Sequence, residues 1–263
     1  MLLPIGTMGQ SAYLNSPVSL GRGGTGTASF DSWSVLTNPA GTSKTTQIAA
    51  SVSYYLPYFV HELSSKNALV VLPYQFGVLA VNINQFGYSL YQENNIGLSY
   101  SRSITPTLHA AFQFNFQNTD VSQSGSGSQL FAGVGVIYEP MDAVQLGCFV
   151  SNPERSKITV QDISSQIPSL FVLGFNWNAS TDFDISCELE KQDGFKSLFK
   201  LGLEYEIKEM VWIRTGLFGK PLNYTFGLGF NVFDFQLDAG MSHHDVLGIS
   251  SCFGITYLFR QNQ

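Results

Sequence analysis

Apolar and polar residues alternate with a period of two along most of the chain after residue 45. In the segment 252–257, Cys, Gly and Thr alternate with Phe, Ile and Tyr, and the segments 182–190, 197–207 and 222–232 repeat the pattern. Successive side chains of a β-strand point to opposite faces. Each segment therefore predicts a strand with one apolar face and one small, polar or charged face.

Fourteen segments of this kind follow one another between turn-forming residues. An even number of strands, each of about ten residues, is typical of bacterial membrane barrels. The pattern therefore predicts an all-β fold, a transmembrane antiparallel β-barrel of about 14 strands. The segments lie near 46–56, 66–73, 76–85, 94–102, 107–117, 128–138, 143–151, 168–178, 182–190, 197–207, 210–218, 222–232, 233–242 and 247–259.

The connections in the first part of the barrel alternate between long and short. Short periplasmic turns and longer external loops produce this rhythm in outer-membrane barrels. After residue 190 the predicted outer loops are themselves brief. The predicted long connections are 57–65, 86–93, 118–127 and 151–167, and the short ones are 73–75, 103–106, 139–142 and 179–181.

The composition supports a membrane barrel. Only 12% of the residues are charged, against about 25% in soluble domains, and 14% are aromatic. The longest uncharged run, 67–92, contains too many Pro, Gly, Asn and Gln residues for a membrane helix. Lipid offers the backbone N–H and C=O groups no hydrogen-bond partner, so only helices and closed β-barrels span a membrane. Without a membrane helix, a closed barrel is the remaining spanning structure. A soluble β protein, the alternative, would not need an uncharged outward face on nearly every strand.

Charge is concentrated late in the chain. Residues 1–153 contain ten charged side chains and residues 154–263 contain 22. If the aromatic faces meet lipid, the late charges point into the lumen. They form either an ion-pair network that fills the interior or a ligand or gating site, and both interpretations stay open. The predicted lumen polar network is Asp184, Glu188, Lys200, Glu204, Arg214 and Asp238.

The start of the chain differs from the barrel segments. Residues 1–12 have no positive charge and are interrupted by Pro4 and Gly6, so they are at most a remnant of a secretion signal. We expect the chain to be mature-like or to lack its true start. Residues 11–43 are rich in Gly, Ser, Asn and Thr, without the lysine spacing of a phosphate-binding loop. The net charge of -6 also argues against nucleic acid as a partner.

The order of motifs in this early segment resembles a known family. LGRGGTGTA at 20–28, Asp31-Ser32 and Asn38-Pro39-Ala40-Gly41 precede the first strand, in an order similar to the N-terminal signature of the FadL superfamily of outer-membrane barrels. IGLSY at 96–100, LGLEY at 201–205 and GITYLF at 254–259 resemble most closely its PorV and PorQ branch, found in bacteria with type IX secretion.

The resemblance implies a plugged barrel in the bacterial outer membrane. Residues 1–44 would form a plug and residues 45–263 the barrel, with the plug motif Asn38, Pro39, Ala40 and Gly41 beside the wall. PorV-like proteins serve as accessories of protein export, whereas FadL proteins form a passage for hydrophobic compounds. The short plug and brief loops favour the first role, an accessory of a secretion or surface-assembly complex with a protein partner. The alternatives are a transporter for small hydrophobic compounds and a purely structural barrel.

Candidate chemistry is sparse. The odd number of cysteines, Cys148, Cys187 and Cys252, has no paired spacing and predicts no disulfide framework. The run 243–245 (His-His-Asp) predicts a polar turn rather than a metal site, since neighbouring side chains of a strand diverge. His109 is a candidate base in the lumen, without a nucleophile that the sequence assigns to it. We therefore expect no catalysis, no metal and no cofactor.

Overall fold

Fourteen antiparallel strands form one closed barrel in a computed structural model that describes residues 16–160 and 163–260. Two further strands pair only with each other, as a hairpin in the connection between β7 and β10. The strands are β1 (Ala49–Leu56), β2 (Ser65–Tyr74), β3 (Gly77–Tyr88), β4 (Tyr91–Thr105), β5 (Leu108–Val121), β6 (Gly125–Met141), β7 (Val144–Ser151), β8 (Lys157–Val160), β9 (Ile163–Gln166), β10 (Leu170–Ser180), β11 (Phe183–Gln192), β12 (Leu198–Ile207), β13 (Val211–Phe218), β14 (Asn223–Val232), β15 (Phe235–His244) and β16 (Gly248–Leu258).

The barrel closes where the first strand meets the last. β1 pairs with β16 from Ala49, opposite Leu258, to Leu56, opposite Ser251. Every barrel strand thus has two neighbours, and the backbone hydrogen bonds of the sheet are satisfied without an open edge. The predicted fold class, an all-β antiparallel barrel of 14 strands, is confirmed.

The outer face of the barrel is apolar and exposed, as a lipid-facing surface must be. Phe112, Phe114 and Phe116 on β5 are 44–59% exposed, while Gln113 and Asn115 between them are buried. Soluble proteins rarely expose such a continuous apolar surface. In the part of the chain that the structure describes, no helix combines the length and apolar character needed to span a membrane. The molecule is a β-barrel of the bacterial outer-membrane type.

Short turns and long connections lie at opposite ends of the barrel. Each of four predicted short connections ends in a two-residue turn that extends one residue beyond the prediction. These turns are 75–76, 106–107, 142–143 and 181–182, and all lie at the end of the barrel where β1 begins. We call this the periplasmic end and the other the external end, because outer-membrane barrels have their short turns on the periplasmic side. The predicted long connections at 57–65 and 151–167 are confirmed at the external end.

Two predicted loops are instead extended hairpins. β3 pairs with β4 up to Tyr88 and Tyr91, and β5 pairs with β6 up to Val121 and Gly125, so 86–93 and 118–127 are mostly strand. Both stretches lack apolar alternation because water reaches them at the external end, and polar side chains there bond across the hairpin. Asn118 Nδ2, for example, donates to Ser128 Oγ at 2.9 Å.

The hairpin β8–β9 folds back over the inner side of the external rim. A Cβ atom on Gly127 of β6 would lie 2.2 Å from the Thr159 carbonyl oxygen of β8, so the two backbones touch. Ile158 of β8 and Ile167 after β9 are buried. The connection between β7 and β10 therefore covers part of the external opening.

The segment 16–44 lies inside the barrel and crosses it from one wall to the other. Its helix α1 (Pro17–Gly21) begins with Ser16, whose Oγ accepts a hydrogen bond from Ser19 N at 2.9 Å. Helix α1 contacts β13 to β16, and the 3₁₀ turn Pro39–Lys44 contacts β3 to β6. Between them, the 3₁₀ turn Ser32–Leu36 packs Trp33, Val35 and Leu36 against the inner wall of β1 to β3. Two further 3₁₀ turns, Pro57–Phe59 and His61–Leu63, lie in the first external connection.

Candidate functional site in the barrel lumen

The glycine-rich part of the segment lies directly against the barrel wall. Gly23 has a φ of +67°, and a Cβ atom there would lie 2.3 Å from the Leu201 carbonyl oxygen. A Cβ on Gly21 would lie 2.9 Å from Gly227 Cα of β14. Glycine is required at these positions because no side chain fits between the two backbones.

This glycine-rich loop binds a wall carboxylate. Gly26 N and Thr27 N donate to Glu188 Oε2 at 3.1 and 3.0 Å. Lys200 Nζ donates to Glu188 Oε1 at 2.8 Å, to Glu190 Oε2 at 2.7 Å and to the Gly24 carbonyl oxygen at 3.0 Å. Consecutive backbone N–H groups form an anion-binding nest. The anion in this nest is the side chain of Glu188, and Lys200 ties the loop to β11 and β12.

A second ion-pair cluster lies around Arg214. Its guanidinium binds the Glu204 carboxylate through Nε and Asp238 Oδ1 through Nη1, the latter at 2.6 Å. Arg22 of the segment approaches Glu204 Oε1 at 3.5 Å and Asp31 Oδ2 at 3.8 Å. All these side chains except Asp31 are largely buried, so they depend on one another for charge compensation.

The six predicted network residues are therefore divided. Glu188 with Lys200 and Glu204 with Arg214 and Asp238 form two clusters. Asp184 faces Glu204 across β11 and β12 and accepts a hydrogen bond from Asn178 Nδ2 at 2.5 Å. The prediction missed the contribution of the segment itself. Arg22 and Asp31 are the only charged residues in 1–43, which is a signal that they have buried partners.

The motif Asn38-Pro39-Ala40-Gly41 lies against β6 on the other side of the lumen. Asn38 is fully buried, its Oδ1 accepts from Ala40 N at 3.2 Å, and its Nδ2 donates to the Thr27 and Val136 carbonyl oxygens at 2.7 and 3.2 Å. Pro39 starts the 3₁₀ turn, and a Cβ on Gly41 would lie 2.1 Å from the Ser29 carbonyl oxygen. Asn38 thus supplies hydrogen bonds to the wall, Pro39 begins the turn, and Gly41 allows the close approach of two backbones.

His109 joins the end of the segment to β4 and β6. Its Nδ1 lies 2.9 Å from both Ser43 Oγ and Ser103 Oγ, and its Nε2 lies 2.9 Å from Glu139 Oε1. Lys44 Nζ reaches the same carboxylate at 2.5 Å. If Nε2 donates its proton to Glu139, Nδ1 has one lone pair for two hydroxyl groups. We describe this cluster as a structural junction between the segment and the periplasmic rim.

The segment separates two cavities inside the barrel. The periplasmic cavity has a volume of about 500 Å³, and its lining includes Phe30, Trp33, Trp212 and Asp184. The external cavity has a volume of about 50 Å³ and lies between Leu36 and Thr37 of the segment and the walls of β5, β7 and β10 to β12. The lumen is therefore interrupted by the segment, with room on either side of it.

The inner wall has regions of different chemistry. Buried amide side chains such as Asn67, Asn82 and Asn84 lie on β2 and β3, and the two ion-pair clusters lie on β11 to β15. Between these regions, β6, β7 and β10 carry an apolar strip of four buried inward side chains. We call this the apolar strip, and it consists of Phe131, Phe149, Leu170 and Val172.

The cysteines and the external histidines lie outside these clusters. Cys148 and Cys187 occupy half-exposed outward positions, Cys252 is buried, and no disulfide joins any of the three. His243 and Asp245 lie at the exposed external turn between β15 and β16, with Nδ1 and Oδ1 3.8 Å apart. Among residues 16–160 and 163–260, no three His, Cys, Asp or Glu side chains converge as metal ligands.

Solved structures of similar fold include a hydrocarbon channel, a FadL homologue and a toluene transporter. CymD, a monoaromatic hydrocarbon channel, has a TM-score of 0.73 with 12% identity over 94% of this chain and 98% of its own. A Pseudomonas aeruginosa FadL homologue has a TM-score of 0.69 with 11% identity over 94% and 98% of the two chains. The Pseudomonas putida toluene transporter TodX has a TM-score of 0.69 with 10% identity over 93% and 96%.

These likenesses show a FadL-like barrel fold. CymD is named as a channel and TodX as a transporter, and none of the three structures is named as an enzyme. No family profile matches the chain, and no curated protein matches it by sequence. None of the three structures points to the PorV and PorQ branch.

Proposed function

We propose that the protein is an outer-membrane channel for small hydrophobic compounds, with residues 1–44 acting as a plug that closes it. The observation that carries this proposal is the pair of cavities inside the barrel, one on each side of the segment 16–44. A purely structural barrel has no need of room on both sides of such a segment. The division into a plug and a barrel from residue 45 is part of the proposal, and residues 1–15 lie outside the described residues.

The apolar strip supports a hydrophobic cargo. Phe149, Leu170 and Val172 line the external cavity, so an apolar compound that arrives from outside meets apolar side chains next to the plug. CymD, a monoaromatic hydrocarbon channel, and TodX, a toluene transporter, have names that agree with this cargo class. Their identity to this chain is 10–12%, so the cargo is proposed for this chain on its own geometry.

A compound can cross the barrel only if the plug moves. The external cavity of about 50 Å³ is far smaller than the ~300–1,000 Å³ typical of pockets for small organic ligands. Leu36 and Thr37 form its boundary on the plug side. We infer that a compound crosses only after the plug shifts away from this boundary, and that the two ion-pair clusters hold the plug in its closed position.

The accessory role in protein secretion stays a prediction. The fold comparisons offer nothing in favour of a PorV or PorQ type, of a secretion complex or of a protein partner. A protein that copurifies stoichiometrically from native outer membranes would favour that role over transport.

Uptake by vesicles tests the proposed function. The purified protein is reconstituted into lipid vesicles, and entry of toluene is followed by a fluorescent solvatochromic dye trapped inside. Passage of toluene through the lipid itself is measured in vesicles without protein and in vesicles with an unrelated closed barrel. We expect faster entry only with this protein. Equal rates in all three preparations would contradict transport.

A further inference from the structure

The periplasmic cavity is large enough for a small organic ligand. Its volume of about 500 Å³ lies within the ~300–1,000 Å³ typical of such sites. Its lining includes Phe30 and Asp31 of the plug and Asp184 and Trp212 of the wall. The cavity therefore brings aromatic rings and carboxylates together in one space.

Carboxylates outnumber basic groups around this cavity. The basic side chains of its lining are Arg22, Lys44 and Arg214, and each of them already forms an ion pair with a carboxylate. Carboxylates in the lining or directly beside it are twice as many. They are Asp31, Glu139, Asp184, Glu204, Glu206 and Asp238. The surplus of negative charge attracts cations to this end of the lumen.

Asp184 has no basic partner. It is half-buried and accepts one hydrogen bond, from the neutral Asn178 Nδ2 at 2.5 Å. Within residues 16–160 and 163–260, no basic nitrogen lies within 4.0 Å of its carboxylate. Directly across β11 and β12 it faces Glu204, a second negative charge. A carboxylate that is partly removed from water beside a like charge favours a cationic ligand.

A neighbouring acceptor also lacks a partner. Asn176 lines the same cavity and is 7% exposed. Its Nδ2 donates to Gln145 Oε1 at 3.0 Å, whereas its Oδ1 accepts no hydrogen bond. The unpartnered donors of the lining, Arg22 Nε and Trp33 Nε1, belong to the plug. On β10 and β11 the available groups are therefore acceptors, which suit an ammonium group and not an anion.

The carboxylates are spread over the cavity. Asp184 lies on β11 and Asp31 on the plug, while Glu206 lies on β12, opposite Trp212 of β13. In the described part of the chain, no three acidic, histidine or cysteine side chains converge as metal ligands. A flexible chain with several ammonium groups matches this distribution better than a single metal ion does. The half-buried ring of Trp212 can hold one such group by a cation–π contact.

We propose that the periplasmic cavity binds linear polyamines, compounds with two or more ammonium groups on an alkyl chain. One ammonium group binds Asp184 and Asn176, and a second lies toward the periplasm, between Glu206 and Trp212. The site lies on the other side of the plug from the external cavity, and it does not rest on the proposed transport of hydrophobic compounds.

Binding of a matched set of four-carbon compounds tests the proposal. Butylamine has one ammonium group, putrescine has two on the same chain, and 1,4-butanediol is the neutral control. Each is titrated into the detergent-solubilised protein at low salt and followed by isothermal titration calorimetry. We expect putrescine to bind about tenfold more tightly than butylamine, as one further charge-assisted hydrogen bond implies, and butanediol not to bind. Equal affinities of the two amines, binding of Mg²⁺ as tight as that of putrescine, or no binding of either amine would overturn the proposal.

Variants locate the binding in this cavity. Asp184→Asn keeps the side-chain shape and should weaken putrescine binding about tenfold. Asp182→Asn removes the same charge at the exposed turn before β11 and should have no effect. Trp212→Leu should weaken binding several-fold through the lost cation–π contact. Glu206→Gln repeats the test should Asp184→Asn lose its heat-dependent gel shift. Unchanged affinity in the folded cavity variants, or an equal loss in Asp182→Asn, would refute the proposal.

Discussion

At the scale of single residues, the lumen depends on a few buried charges that compensate one another. Arg214 on β13 is 2% exposed and contacts two carboxylates, Glu204 on the neighbouring strand β12 and Asp238 on β15. Charges removed from water are tolerated only when they are paired and hydrogen-bonded. The cluster therefore makes β12, β13 and β15 depend on one another and on Arg22 of the plug.

Replacing Arg214 by Met should lower the stability of the barrel markedly. Glu204 and Asp238 would stay buried without their partner, which costs about 3–5 kcal/mol in buried ion pairs. The measurement is the temperature at which the folded band of the heat-modifiable gel shift disappears. Arg260→Met, which breaks an exposed pair with Asp234, is the control and should leave that temperature unchanged. Equal behaviour of the two variants would place Arg214 in open water.

At the scale of elements, the plug is fastened to the wall at several places along its length. The glycine-rich loop binds Glu188 and Lys200, Asn38 bonds to the backbone of β6, and the junction at His109 ties Ser43 to the periplasmic rim. The glycine-rich loop and the neighbouring Arg22 contact buried wall carboxylates. Asn38 uses neutral hydrogen bonds, and the junction adds the half-exposed Lys44 to its hydrogen bonds. We therefore expect the glycine-rich loop to respond most to a change of charge.

Lys200→Met should loosen the glycine-rich loop. Without the ammonium, Glu188 and Glu190 repel each other and the bond to the Gly24 carbonyl oxygen is lost. Trypsin should then cleave after Arg22, which is 5% exposed in the intact fold, several-fold faster. Lys196→Met, in the exposed loop between β11 and β12, is the matched control. An unchanged rate of cleavage after Arg22 would mean that Lys200 does not anchor the plug.

Much of the site depends on strand register, which explains what the sequence could and could not predict. Alternation alone places Glu188 and Lys200 on the inner face of their strands. Their ion pair also requires that they face each other directly across β11 and β12, and register is a property of the folded sheet. The partners Arg22 and Asp31 come from an irregular segment without periodicity, so no pattern assigns them to a wall.

At the scale of the whole molecule, the barrel is defined by its contact with lipid. Within the bilayer, apolar and polar side chains must alternate along each strand, because one face meets lipid and the other faces the lumen. The 14 strands were predictable for that reason. Outside the bilayer the constraint ends, and the external parts of β3 to β6 continue as polar hairpins that alternation does not mark. The hairpin β8–β9 was unpredictable for the same reason.

Phe114→Arg should impair insertion of the barrel into lipid. Phe114 is 55% exposed on the outer face in the middle of β5, where a charge costs about 2–4 kcal/mol in a membrane barrel. Phe233→Arg, at an exposed periplasmic turn, is the control and should fold like the wild type. The folded fraction in lipid vesicles, read from the gel shift, measures the difference. Equal folding of both variants would argue against a lipid-facing wall at Phe114.

In the proposed function, the plug must move for a compound to pass. Thr25 Oγ1 of the plug lies 2.7 Å from Ser186 Oγ of β11, close enough for a disulfide after replacement of both residues by Cys. The matched control is Ser51→Cys with Thr256→Cys, whose oxygens lie 2.8 Å apart but join β1 to β16 within the wall. Both pairs are introduced into a protein with Cys148, Cys187 and Cys252 replaced by Ala.

The proposed movement of the plug is tested by toluene entry into vesicles, measured for the oxidised and the reduced form of each pair. We predict that oxidation of the pair at 25 and 186 abolishes entry, that reduction restores it, and that oxidation of the pair at 51 and 256 has no effect. Undiminished entry through the oxidised plug-to-wall protein would contradict the account.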